Sequence, residues 1–257
     1  MLITTYYKRF LITAAIGCMI TVFSSCKKYL EIDLPKDKLT AETVFSSATN
    51  ALAAVNGMYT FALQPRSFIT YQGDFLMGLS ADEFIYGSNQ YDEFTNNAWL
   101  ATNADVAATW KLFYAVIYQA NGIIEKMPGS PVTDSAKAVY IAEAKVFRAF
   151  CHLYLTSYWG DVPLIQTTDV TVTASIGRTP KAEVLNAVMT DLTEAEAVLP
   201  TATVRNGRFN KYMATALLAR VNLYQKNWSA AEAKATSLIG NTTNFSLLTD
   251  LTKVFLR

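Results

Sequence analysis

The chain has 257 residues, of which 51% are hydrophobic and 17% charged, and 22 Lys and Arg against 21 Asp and Glu leave a net charge of +1. Its cations are scattered among acids and form no basic stripe able to neutralise phosphates, which excludes nucleic-acid binding as a function class. The length suffices to bury a sizeable core in one large domain or two small ones.

At the N-terminus Lys8 and Arg9 form a short basic patch, and Phe10 to Phe23 follow as an almost uninterrupted apolar run of about 14 residues. That run is shorter than the roughly 20 residues a spanning helix needs, and polar chain follows it directly, which is the layout of a secretory signal. Ser24 and Ser25 sit just before Cys26. This resembles the bacterial lipobox, with Phe23 where Leu is usual. The resemblance implies a lipoprotein signal peptide over residues 1–25, and a mature chain over 26–257 tethered to a membrane through lipid on Cys26. Cys151 is then the remaining cysteine, so no disulfide framework or cysteine metal site is expected, and Cys151 reads as a small core residue.

A first helix is expected from Ala41 to Leu63, followed by an irregular stretch from Gln64 to Ala104. From Asp105 to Met127, Trp110, Phe113, Ile117, Ala120, Ile124 and Met127 alternate at spacings of three and four, one face of a helix that Pro128 and Gly129 stop. From Asp134 to Tyr158, Val139, Ala142, Val146, Ala149, Phe150 and Leu153 make one stripe. Ile141, Phe147, Cys151, Tyr154 and Leu155 occupy other sides, so this helix is covered on more than one side. After a second irregular gap up to Arg178, the next helix is predicted with Thr179 as N-cap and Pro180 at its first position. Val184, Val188, Leu192, Ala195 and Leu199 face inward, and Pro200 ends it. Helices over Asn210–Lys226 and Ser229–Ile239 complete an all-α chain.

Paired helices joined by short turns raise the question of a repeat. In "LLARVNLYQKNWSAAEAKATSLI", Ala219 and Ala231 stand where two helices approach closely and Trp228 follows the turn. This is similar to a tetratricopeptide repeat, with Asn222 where that motif usually carries an aromatic; the plainer alternative is a generic antiparallel helix pair. The lipobox-like start, "WKLFYAVIYQANGIIEKM", "EAKVFRAFCHLYLTSYWGDVPLI", "RTPKAEVLNAVMTDLTEAEAVLP" and "GRFNKYMATALLARVNLYQKNWSAAEAKATSLI" occur in that order. Together they resemble the SusD/RagB family, outer-membrane glycan-binding lipoproteins of the Bacteroidota that partner a TonB-dependent transporter. The resemblance runs from Cys26 to about Phe255, and implies tetratricopeptide-like helix pairs with a long loop between the first two helices. Family members continue well past the point where this sequence stops at "LTKVFLR", so the second half of their fold is expected to be missing.

The residues alone give little sign of catalysis. The chain has one histidine, His152, mid-helix with Lys145 and Arg148 before it, and no HExxH, CxxC, GxSxG or phosphate loop. Asp82, Glu83, Asp92 and Glu93 share one irregular segment, so a glycosidase-like carboxylate pair stays open beside a solvated-loop or helix-capping role. The same segment carries Phe68, Tyr71, Phe75, Phe84, Tyr86, Tyr91, Phe94 and Trp99, interleaved with Asn89, Gln90, Asn96 and Asn97. Sugars present flat C–H faces and hydroxyl edges, and a site for them combines aromatic platforms with amide side chains. The family resemblance places the glycan site in this loop and implies Trp99, Tyr91, Asn96, Asn97, Phe94 and Tyr71 as its residues here; packing under the loop is the alternative for each ring. The expected function is capture of a glycan without turnover and delivery to the transporter, with no cofactor. The alternatives are a protein-only scaffold assisting transporter assembly and, third, a glycoside hydrolase.

Overall fold

A computed structural model describes residues 41–64, 68–201, 207–250 and 252. The signal segment and Cys26 lie outside the described residues, as does the segment at 202–206. The long helices are α1 (Ala48–Ala62), α2 (Ala104–Lys126), α3 (Asp134–Trp159), α4 (Lys181–Val198), α5 (Lys211–Tyr224) and α6 (Trp228–Ile239), and each packs on the next in sequence. The only β-type pairing among the described residues is an isolated antiparallel bridge between Val162 and Thr179. No helix among them is long and apolar enough to cross a membrane.

Local chemistry sets the helix ends. Asn103 caps α2 by accepting from the N–H groups of Asp105 and Val106 at 2.9 and 3.1 Å. Pro128 turns the chain out through a tight Met127–Gly129 turn. α3 closes on Gly160 at φ +71, a left-handed conformation that favours glycine, and the Thr156 hydroxyl donates to the Gly160 carbonyl at 2.6 Å.

Two boundaries differ from the sequence expectation. The first helix is broken at Phe45–Ser47, because the Ser47 hydroxyl accepts from Asn50 N–H and starts α1 afresh at Ala48. Thr179 does not cap α4. It is held extended by its two backbone bonds to Val162, which moves the cap to Pro180, and Asp161 Oδ1 accepts the Lys181 N–H at 2.9 Å from across the bridge.

The core lies where α1 to α5 meet. Met58, Phe113, Ile117, Phe147, Leu153 and Leu192 are fully buried, each worth about 1.5–3 kcal/mol against exposure. α3 is buried on more than one side, with Ala142, Val146 and Ala149 joined by Phe147, Cys151 and Leu155. Between α5 and α6, Ala219 is half-buried and Ala231 buried, as close approach requires. Asn222 donates to Leu218 O at 2.8 Å and accepts from Asn227 at 3.4 Å, so an amide that ties down the turn replaces the usual aromatic. Trp228 stays 61% exposed.

A polar cluster crosses this core. Arg148 on α3 donates from Nε and Nη2 to the two carboxylate oxygens of Asp191 on α4, at 2.8 and 2.7 Å, and from Nη1 to Asn121 Oδ1 on α2 at 2.9 Å. Asn121 in turn donates to the carbonyls of Ile165 and Thr167, at 3.2 and 3.3 Å. The Ile165 N–H donates to His152 Nε2 at 3.3 Å, and His152 Nδ1 lies 3.1 Å from Arg148 O. The 163–168 segment is therefore clamped by buried polar side chains of two helices, α2 and α3, with Asp191 of α4 holding Arg148 from behind. His152 is structural, and Asn121 and Asp191 stand at positions on the apolar faces of their helices.

Candidate functional site

The stretch between α1 and α2 is not irregular throughout, as its composition suggested. Phe68–Leu76 form wide π-helical turns that run into a short α-helical piece, Met77–Ser80; a tight Asn89–Tyr91 turn and an α-helical turn, Asp92–Thr95, follow. This segment has its own small core of Leu76, Leu79, Tyr91 and Phe94, flanked by Tyr71, Phe75, Met77, Trp99 and Val106.

Phe75 is the hub of the aromatic side chains. Tyr71 stacks on it at 5.5 Å, Tyr91 meets it edge-on at 5.2 Å, and Tyr86 and Phe84 lie at 5.9 and 6.4 Å. Tyr86 also meets Tyr91 edge-on at 4.8 Å. Such contacts add about 0.5–1.5 kcal/mol per pair beyond burial. The hydroxyls of Tyr71 and Tyr91 are 2.8 Å apart, and Gln90 Nε2 donates to the Tyr91 hydroxyl at 3.1 Å.

The six expected site residues divide by exposure. Tyr91 and Phe94 are buried, at 7% and 2%, and lie beneath the surface. Tyr71 and Trp99 are half-buried; Trp99 packs on Phe94 at 5.4 Å, and its indole Nε1 is buried with no acceptor among the described residues. Asn96 and Asn97 are exposed, but Asn97, at φ +52, donates to the Ser80 carbonyl at 3.0 Å and holds the turn. The rings that reach solvent are others: Phe84 at 46% and Tyr86 at 42%, on either side of Ile85 at 97%. No periodicity in the sequence marks them out, since Phe84, Ile85 and Tyr86 are consecutive and all exposed in a segment rich in rings throughout.

The position of this shelf is fixed from below. A Cβ on Gly78 would come within 2.4 Å of two ring carbons of Phe84, so that ring lies directly on the glycine. Asp82, at φ +60, turns the chain out of the Met77–Ser80 helix toward the shelf, and the Glu83 N–H donates back to the Gly78 carbonyl at 2.8 Å.

Of the four acids flagged in the sequence, Glu93 is taken up by the structure. Glu93 Oε2 accepts from the Leu100 N–H at 3.1 Å and from Asn103 Nδ2 at 2.9 Å, and so steadies the cap of α2. Asp82 and Glu83 are exposed on the rim of the shelf. Among the described residues no group of His, Cys, Asp and Glu is arranged to hold a metal ion.

A helical-repeat scaffold carrying an aromatic shelf on the insertion between its first two long helices defines a class of binding protein. A family model described as starch-binding and associating with the outer membrane matches residues 28–223, and the chain belongs to this SusD-like family. A SusD-like protein of Formosa agariphila is 30% identical over 247 residues, covering 90% of this chain and 46% of that protein. Among solved structures, a SusD homologue from Bacteroides thetaiotaomicron shares the fold with a TM-score of 0.71 at 24% identity, over 82% of this chain and 43% of the other. A laminarin-binding SusD-like protein matches with a TM-score of 0.70 at 25% identity, over 79% of this chain and 47% of its own. The chain thus spans about half the length of the relatives it matches. The tetratricopeptide-like architecture expected from the sequence is that of the family.

Proposed function

We propose that this chain is the glycan-capturing part of an outer-membrane nutrient-uptake lipoprotein that binds oligosaccharide without cleaving it and passes it to a TonB-dependent transporter. The observation that carries this reading is the solvent-facing pair Phe84 and Tyr86, seated on a ring cluster, in a chain of a family described as starch-binding. Pyranose rings stack their C–H faces on such surfaces. Tyr71, Tyr91 and Phe94 support the shelf, and Trp99, Asn96 and Asn97 extend its edge toward α2. The anchor is lipid on Cys26 after removal of residues 1–25, as the lipobox resemblance implies. A single acyl chain binds membranes only marginally, so two or more chains there are expected.

Titration calorimetry of the purified chain with laminarihexaose and maltohexaose tests this. Binding is expected in the micromolar to millimolar range, roughly −8 to −4 kcal/mol, with the sugar recovered intact. Tyr86→Ala and Phe84→Ala should each weaken it about tenfold in a chain that stays folded, with the melting temperature lowered by a few degrees for the lost ring contacts. Gly78→Ala should do the same by lifting the Phe84 ring. Reducing ends accumulating over time would replace capture by hydrolysis.

A second reading, a scaffold that docks protein, draws on a different observation. Met213, Ala216, Leu238, Ile239, Phe245 and Leu247 line an open apolar groove of about 990 Å³ beside α5 and α6. Retained affinity for the transporter with no binding to any glycan would favour it.

A further inference from the structure

The aromatic segment has a charge pattern that its role as a sugar shelf does not require. Between Phe68 and Trp110 the sequence holds Asp74, Asp82, Glu83, Asp92, Glu93 and Asp105, and no lysine, arginine or histidine. All 22 Lys and Arg lie in the rest of the chain, against its 15 Asp and Glu, so the acidic excess is confined to this insertion. Asp74 directly precedes the hub ring Phe75, and Asp82 and Glu83 directly precede Phe84; all three side chains are exposed. None of these three has an ion-pair partner among the described residues, whereas Glu93 is held by Asn103 and the Leu100 N–H. Tyr158 feels the charges of both Asp74 and Arg220 of α5, and Arg220 Nη1 donates to the Tyr154 hydroxyl at 2.6 Å.

Resting on the reading of the shelf as a glycan site, we infer that its acidic rim sets the substrate class: neutral glycan chains are admitted, and anionic ones, built of uronates or sulfated sugars, are turned away. The rings supply attraction to pyranose faces of either kind, because stacking does not depend on the charge of a substituent beyond the face. The carboxylates act on charge alone. A polyanionic chain laid across Phe84 and Tyr86 brings its own carboxylates or sulfates up to Asp82, Glu83 and Asp74, well inside the screening length of about 8–10 Å at ordinary salt. Like-charge juxtaposition of this kind rejects a wrong partner more effectively than it strengthens a right one. No cation within the segment is present to reverse that sign.

The experiment titrates the purified chain with laminarihexaose, maltohexaose and hexagalacturonic acid at low and at high salt, and repeats it on the double variant Asp82→Asn, Glu83→Gln. Asparagine is the replacement for Asp82 because it tolerates the left-handed backbone there. At low salt the acidic hexamer is expected to bind at least about tenfold more weakly than the better neutral one. High salt should shrink that ratio severalfold, and so should the double variant, with no change in melting temperature. Hexagalacturonic acid binding as well as the neutral hexamers would overturn the inference and leave glycan capture standing. A ratio unmoved by salt and by the double variant would also overturn it, since selection would then lie in contacts other than charge. If none of the three sugars binds, the reading of the shelf as a glycan site falls, and this inference falls with it.

Discussion

Two segments of this molecule are held against helices by opposite means. Pro163 to Thr168 is fixed by directed polar contacts from Asn121, Arg148 and His152, with Asp191 behind Arg148, and the Arg148–Asp191 pair is almost fully buried. The segment from Tyr71 to Trp99 is fixed chiefly by rings around Phe75, and part of that ring surface stays in solvent. A buried polar clamp specifies one geometry, because none of its buried side-chain nitrogens and oxygens is without a hydrogen-bond partner. Ring packing is non-directional and leaves faces unspent, so a ligand can use them. The contrast separates the part of the chain that builds the scaffold from the part that presents a surface.

The largest effect expected from breaking this division is in the clamp. Asp191→Ala leaves the Arg148 guanidinium buried beside Asn121 without its carboxylate, and removing one partner of a buried pair costs about 3–5 kcal/mol. Tyr91→Phe in the aromatic segment removes one hydroxyl that meets Tyr71 and Gln90, a loss of about 1 kcal/mol. Urea unfolding of the two variants measures the difference. Similar midpoints for both would mean that the clamp is no more structural than the shelf.

The same contrast explains what the sequence made legible. The helices could be read because a 3.6-residue period separates inward from outward positions, as at Phe113, Ile117 and Ala120 on α2. The clamp could have been found by the same period, since Asn121 and Asp191 break apolar faces where a polar residue needs a buried partner. The aromatic segment had no such guide. Its turns change from π-helical to α-helical to tight turn within 30 residues or so, and no single period says which ring points out. Composition therefore marks the segment as ring-rich, but does not distinguish Tyr91 and Phe94, which are buried, from Phe84 and Tyr86, which are exposed. The shifted cap of α4 has a related cause: the Val162–Thr179 bridge is a long-range contact that local capping rules do not contain.

An intermediate effect is expected from pH. Burial, with the Arg148 charge adding to it, drives the His152 pKa down from 6.5 to about 3, so the ring stays neutral in the folded protein. The unfolded chain binds a proton near pH 6.5 that the folded one does not, so stability is full above that value and declines as pH falls toward 3. Between pH 7 and pH 5 the loss from this group is about 2 kcal/mol. Protonation would also place a second N–H against the Ile165 N–H, which now donates to Nε2. His152→Gln should be less stable at pH 7 yet lose much less between pH 7 and 5 than the parent. Parallel curves for the two proteins would show that His152 is not the titrating group and that the clamp does not depend on its neutral form.

The smallest effect on stability sharpens the comparison most, because it concerns a buried polar group of the aromatic segment that has no partner among the described residues. Trp99 Nε1 is buried without an acceptor among the described residues, and an unmet donor costs about 1–3 kcal/mol of desolvation. Trp99→Phe removes that donor and some ring area together, while the packing against Phe94 at 5.4 Å is largely kept. The two terms oppose each other, so the melting temperature should move by no more than a degree or two. A nearly unchanged stability then makes Trp99→Phe a clean probe of binding. If Trp99 lies at the edge of the shelf with its half-buried ring as a platform, the smaller ring of the phenylalanine variant should lose several-fold affinity for the better neutral hexamer, and Trp99→Ala should lose more because the platform goes altogether. If Trp99→Phe instead melts far below the parent, the indole nitrogen has a structural partner and Trp99 belongs with the scaffold. If it melts as the parent does and binds as the parent does, the site is confined to Phe84 and Tyr86, and the edge toward α2 takes no part.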